Sequence, residues 1–93
     1  MVIGSVKIRI YIPWVHSLKE KRMIVKSLCA KIGNKFNVSI AETDLQDVHQ
    51  TLELGIACVS GEAAHADSIL DNVLNFIENN TEGDIISIER ELI

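Results

Sequence analysis

The residues able to do chemistry in this 93-residue chain are few and far apart. His16, His49 and His65 share no spacing that one turn of helix would close, and no H-E-x-x-H pattern is present. Asp44 and Asp47 lie three apart, beside Glu42, in the polar stretch "ETDLQDVHQ". Paired carboxylates can do acid–base work when their environments hold them in different protonation states. In a turn-rich segment they more commonly bond to nearby backbone amides. Cys29 and Cys58 stand in apolar surroundings with no C-x-x-C motif. They are too few for a structural zinc site and read as small buried hydrophobes, reduced in the cytoplasm. There is no glycine-rich phosphate loop and no G-x-S-x-G. Ser60-Gly61-Glu62 precedes a helical pattern and offers amides to an anion, but no catalytic group accompanies it. These absences lead to the expectation of a non-enzymatic protein with no cofactor and no metal.

One segment is chemically biased. "HSLKEKRMIVKSLCAKIGNKF", His16 to Phe36, contains Lys19, Lys21, Arg22, Lys26, Lys31 and Lys35 with Glu20 as its only acid. Such a run is either an electrostatic footprint for RNA or an acidic partner, or a solvated helix face whose long stems cover the core edge. The net charge of −4 argues against indiscriminate nucleic-acid binding. That average hides a split: residues 1–36 hold eight basic groups and one acid, and residues 37–93 hold one basic group and twelve acids. Trp14, the only tryptophan, stands next to Pro13. It either folds over the helix end or serves as an aromatic anchor beside the cations. The expected contact set is Lys19, Lys21, Arg22, Lys26 and Trp14.

The elements that position these residues follow from periodicity. Val6, Ile8, Ile10 and Ile12 alternate with polar neighbours, which predicts a strand closed by Pro13. Ser17 and Glu20 form S-x-x-E, a capping box, ahead of a stripe at Leu18, Val25, Leu28, Cys29, Ile32 and Phe36. Gly33-Asn34 is expected to weaken the last turn. "FNVSIAE" and "TLELGIACV" read as a strand hairpin. A second helix is predicted from about Glu62 to Asn79, with Ala66, Ile69, Leu70, Val73, Leu74 and Ile77 as its stripe. In "IISIERELI", Ile86, Ile88 and Leu92 are expected on one side and Ser87, Glu89 and Glu91 on the other.

The order βαββαβ in one domain, residues 1–93, predicts an α+β sandwich of ferredoxin-like type. Its four-stranded antiparallel sheet has the order 4-1-3-2, with two helices on one face. Lys7 and Arg9 are expected to meet Glu53, Glu89 and Glu91 on the open face. The small residues Ala41, Gly55, Ala57 and Val59 make part of that face mild enough to receive a second copy, so a homodimer is expected there. No apolar run is long enough to span a membrane, and the alternating start "MVIGSVKIRIYI" is unlike an export signal.

Three motifs in order carry a resemblance across nearly the whole chain: "SLKEKR" (Ser17 to Arg22), "FNVSIAE" (Phe36 to Glu42) and "LELGIACVS" (Leu52 to Ser60). With them the chain resembles the bacterial domain-of-unknown-function 503, or YlxP-like, family. The resemblance implies a ferredoxin-like fold. Genes of that family often stand near genes for translation initiation and ribosome maturation. This context implies ribosomal RNA or a ribosome-associated protein as partner. Lys19, Lys21 and Arg22 match the family pattern. In that family an aromatic residue often stands where this chain has His49, so the resemblance implies that a contact made there by a ring is altered here. The alternative is an interaction module that does not touch nucleic acid.

Overall fold

The computed structural model describes residues 1–93. Alternation makes the central strand β1 (Val2–Tyr11), whose Val6, Ile8 and Ile10 turn into the core. Helix α1 (Leu18–Lys35) follows, then β2 (Ser39–Asp44), β3 (Thr51–Ser60), α2 (Ala63–Asn80) and β4 (Asp84–Leu92). The strands form one antiparallel sheet in the order β2-β3-β1-β4. Read from its other edge, this is the expected 4-1-3-2 order. The fold is therefore α+β and ferredoxin-like.

The core lies between one sheet face and the two helices. Leu52, Leu54, Ile56 and Cys58 of β3 join the β1 residues, with Val25, Leu28 and Ile32 from α1 and Ala66, Leu70, Val73 and Ile77 from α2. Burying each large aliphatic side chain contributes roughly 1.5–3 kcal/mol. Phe36 and Phe76 meet edge to face, centroids 5.7 Å apart, and tie the end of α1 to α2. Both cysteines are free thiols. No helix is long and apolar enough to cross a membrane.

Three local readings are amended. The capping box is displaced by one residue: Ser17 Oγ accepts from the Glu20 amide at 3.1 Å, but Glu20 Oε2 accepts from the amide of His16, not Ser17. α1 runs through Gly33-Asn34 to Lys35, because Ile32 is fully buried and the Phe36 amide still reaches the Ile32 carbonyl at 2.9 Å. A bulge in β4 pairs Arg9 with Ser87 but Ile10 with Ile85. Ile86 is thereby pushed to the open face, where it is 57% exposed near Lys7, Arg9 and Glu53.

Gly83 enters β4 against the end of β1. A Cβ there would lie 2.5 Å from Ile10 Cγ2 and 2.8 Å from the Tyr11 carbonyl oxygen. Only a residue without a side chain permits that approach.

Candidate functional site

The cations of α1 divide by face. Its buried row is Lys21, Val25, Leu28 and Ile32, spaced four, three and four. Lys21 therefore occupies a core position and is 1% exposed. Its Nζ donates to the carbonyl oxygens of Leu45 (2.5 Å) and Val48 (2.6 Å). It also lies 3.0 Å from Glu42 Oε2. That last contact is an ion pair without hydrogen-bond alignment, so Glu42 Oε2 is buried with no donor directed at it. An ammonium has three donors and no acceptor, which suits a cage of oxygens. The expected place of Lys21 in an exposed footprint is corrected on this ground: its charge is consumed inside, holding the β2–β3 loop.

That loop needs holding. Leu45 has φ 63, the only positive value among the non-glycine residues. Its amide donates to Asp44 Oδ1 at 2.8 Å, and its carbonyl takes both Lys21 and the Val48 amide. Such a backbone costs on the order of 1–3 kcal/mol and persists where its surroundings fix it. Gln50 Nε2 then donates to the Pro13 carbonyl at 3.1 Å. The loop, the β1–α1 connection and the start of α1 are thus one braced end of the molecule.

Lys19, Arg22 and Lys26 take the outer side. Their spacing of three and four places them in one row along the helix, over about 10 Å. All three are exposed, and none makes an ion pair. The other two cations differ. Lys35 Nζ stands 5.0 Å from the Phe76 ring centroid and 5.9 Å from that of Phe36. Lys31 borders a groove of about 320 Å³ between α1 and the end of α2, with Trp14, Ile24, Leu28 and Glu82. Trp14 is 40% exposed, so it covers the helix flank and still presents an edge to solvent.

On the open sheet face, Lys7 pairs with Glu89 at 3.2 Å and Arg9 with Glu53 at 3.2 Å. Glu91 stays outside these ion pairs. Arg9 also approaches Asp44 at 3.6 Å. Glu53 is 5% exposed, covered by its neighbours rather than by depth in the protein. The hydroxyl of Thr43, at 2.5 Å, and the Arg9 guanidinium hold its carboxyl below the usual carboxylate range against the opposing effect of burial. Burial pushes the Cys29 thiol up, with Glu42 adding to the effect, so Cys29 is a poor nucleophile. Of the expected dimer-face residues, Ala41 and Val59 are exposed and Gly55 and Ala57 are half-buried. The Thr43 methyl sits where a Cβ of Gly55 would be, 2.5 Å away, and roofs that part of the patch.

His65 Nδ1 lies 2.9 Å from Ser60 Oγ, while His16 and His49 are exposed at the braced end. No group of three His, Cys, Asp or Glu side chains gathers as a metal ligand set. Asp44 does the backbone work expected of a turn carboxylate.

A four-stranded antiparallel sheet backed by two helices, with a charged row on the outside of the first, defines a small ferredoxin-like α+β domain. The chain matches the model of a family described as protein of unknown function (DUF503) over residues 3–90, and it belongs to that family. The uncharacterized protein YlxP of Bacillus subtilis (strain 168) is 44% identical over 66 residues, which span 71% of this chain and 72% of that relative.

Proposed function

We propose that the chain is a small non-enzymatic binding protein that docks ribosomal RNA through the outer row Lys19, Arg22 and Lys26, with the exposed edge of Trp14 flanking it. The observation that carries this reading is that the three cations share one ridge and have no carboxylate partner. Free cations release counterions from a phosphate backbone; paired ones must first break their own contacts. Lysine and arginine placed this way fix position on a backbone and carry no base code. The open sheet face is a poor base-stacking platform: Glu53, Gly55 and Ala57 stand where an RNA-recognition motif would have aromatic residues.

Three phosphate contacts predict a modest salt dependence. Binding to ribosomal RNA should fall roughly 20- to 40-fold between 50 and 200 mM salt. Replacing Lys19, Arg22 and Lys26 together by alanine should abolish most of that slope and change stability by less than about 0.5 kcal/mol per site. Replacing Lys31 and Lys35 instead should leave the slope unchanged. An RNA affinity indifferent to the triple substitution would refute the proposal. A second reading, an interaction module without nucleic acid, is supported by the aliphatic side chains exposed along β4. A partner that survives nuclease treatment during co-purification favours it.

A further inference from the structure

β4 closes the sheet with its outer edge bare. Ile3 and Ile93 exchange both backbone hydrogen bonds, at 2.8 and 2.9 Å. In an antiparallel ladder such mutually bonded pairs recur at every second residue. With Ser5 opposite Glu91, Lys7 opposite Glu89 and Arg9 opposite Ser87, the amides of Ser87, Glu89 and Glu91 turn towards β1. Those of Ile88, Arg90 and Leu92 therefore turn outward, with no strand to meet them.

The side chains of this edge are equally unfinished. Ile86, Ile88, Leu92 and Ile93 are 57%, 47%, 41% and 69% exposed, on both faces of the strand. Arg90, the one cation, folds back onto α2, its two terminal nitrogens each 2.6 Å from Asp71 Oδ1 and Asp67 Oδ1. Natural edge strands are blunted by short length, outward lysines or bulges that break pairing. β4 has nine residues, and its bulge lies near one end.

We infer that β4 pairs edge to edge with β4 of a second copy, antiparallel about a two-fold axis, making one eight-stranded sheet from two four-stranded ones. The strand itself selects the register. An axis at Ile88, the midpoint of Asp84–Leu92, sets Ile88 against Ile88 and Ser87 against Glu89. An axis at Glu89 would face that carboxylate with itself. An axis at Arg90 would set Glu89 against Glu91 and each guanidinium against its copy. Like charges directly opposite one another are destabilising, and of these three registers the Ile88 one both avoids them and uses the outward Ile88 amides. The interface is the strand edge, not the face bearing Ala41, Gly55, Ala57 and Val59.

Sedimentation and amide hydrogen exchange test this. The wild type should sediment as a dimer at tens of micromolar, and its Ile88 and Arg90 amides should exchange about a hundredfold more slowly than in the dilute monomer. Ile88→Pro removes only an outward N–H, so the ladder to β1 survives and the variant should be a folded monomer. If its circular dichroism shows misfolding, Ile88→Lys at this half-exposed site takes its place. The inference is overturned by a wild type that stays monomeric at high concentration with fast Ile88 and Arg90 exchange. It is also overturned by a dimer that persists in the folded Ile88 variant but is lost in Val59→Lys, which would place the contact on the open face.

Discussion

β2 and β4 are both outer strands of the same sheet, yet one is sealed and the other is not. β2 has six residues, a bulge at Thr43 and α1 lying against it. Its Glu42 points to the helix side, where Lys21 meets it. β4 is longer, carries three exposed aliphatics with Ile93 just beyond it, and leaves its outward amides free. An inward-pointing charge is itself a guard against edge pairing, because a second strand would have to bury it; Arg90 of β4 also turns to the helix side, but it stays 30% exposed against Asp67 and Asp71 and guards less. The difference teaches that Glu42 of β2 and Lys21 of α1 are structural devices, whereas the apolar residues of β4 stay uncovered within the monomer.

The largest expected effect breaks the sealed edge. Lys21→Met should destabilise the fold by about 3 kcal/mol, the lower end of the range for orphaning a buried charge. The lower end applies because Glu42 retains 17% exposure and can reach water. Two loop carbonyls also lose the Lys21 ammonium, and that of Val48 is left with no donor. Urea unfolding measures this. The double change Lys21→Met with Glu42→Leu should recover part of the loss, since no carboxylate is then stranded, though the Val48 carbonyl stays unpaired and that of Leu45 keeps only the Val48 amide. Equal losses in single and double variants would show that the ion pair is incidental and the loop contacts dominate.

The next effect concerns the bare edge. β4 is anchored at its start by backbone proximity at Gly83, not by a buried charge. Gly83→Ala should cost about 1–3 kcal/mol, as overpacking does. The Ile10 methyl can turn aside, but the Tyr11 carbonyl 2.8 Å from the new Cβ cannot. Thermal denaturation checks it, and a neutral result would mean that the β4 entry shifts freely.

These contrasts bear on what the sequence could reveal. Alternation at Val6, Ile8 and Ile10 and the stripe Val25, Leu28 and Ile32 made strand order and layers legible, because burial imposes period on apolar residues. Lys21 reads as a surface charge in the sequence because lysine is almost never fully buried unless paired. A clue was present: position 21 continues the row of 25, 28 and 32 backwards by four. What could not be read was its cage, because the oxygens of Leu45 and Val48 come from a loop 24 and 27 residues away. The β4 bulge was equally hidden. Alternation assigns Ile86 to the core face, and only the register with β1 moves it out. The row Lys19, Arg22 and Lys26 was legible as charge; its lack of ion-pair partners was not, since twelve acids follow it in the chain.

The smallest effect is tied to the sealed side and depends on pH. Thr43, at the β2 bulge, donates to Glu53, and Arg9 completes its surroundings. The Glu53 carboxyl is held below its ordinary range in the fold, so its charged form is favoured there more than in the unfolded chain. Its contribution is present above the unfolded pKa of about 4.3 and is lost as pH falls through the lower folded value. Glu53→Gln keeps the size of the side chain and an acceptor for Thr43 but removes the charge. The variant should be slightly less stable than the wild type at neutral pH, and the gap should close in acid, so the wild type shows the steeper acid limb. Urea midpoints at pH 7 and near pH 2 measure both. A gap of the same size at both pH values would assign the contribution of Glu53 to packing beneath Thr43, and the sealing of β2 would then rest on Lys21 and the bulge alone.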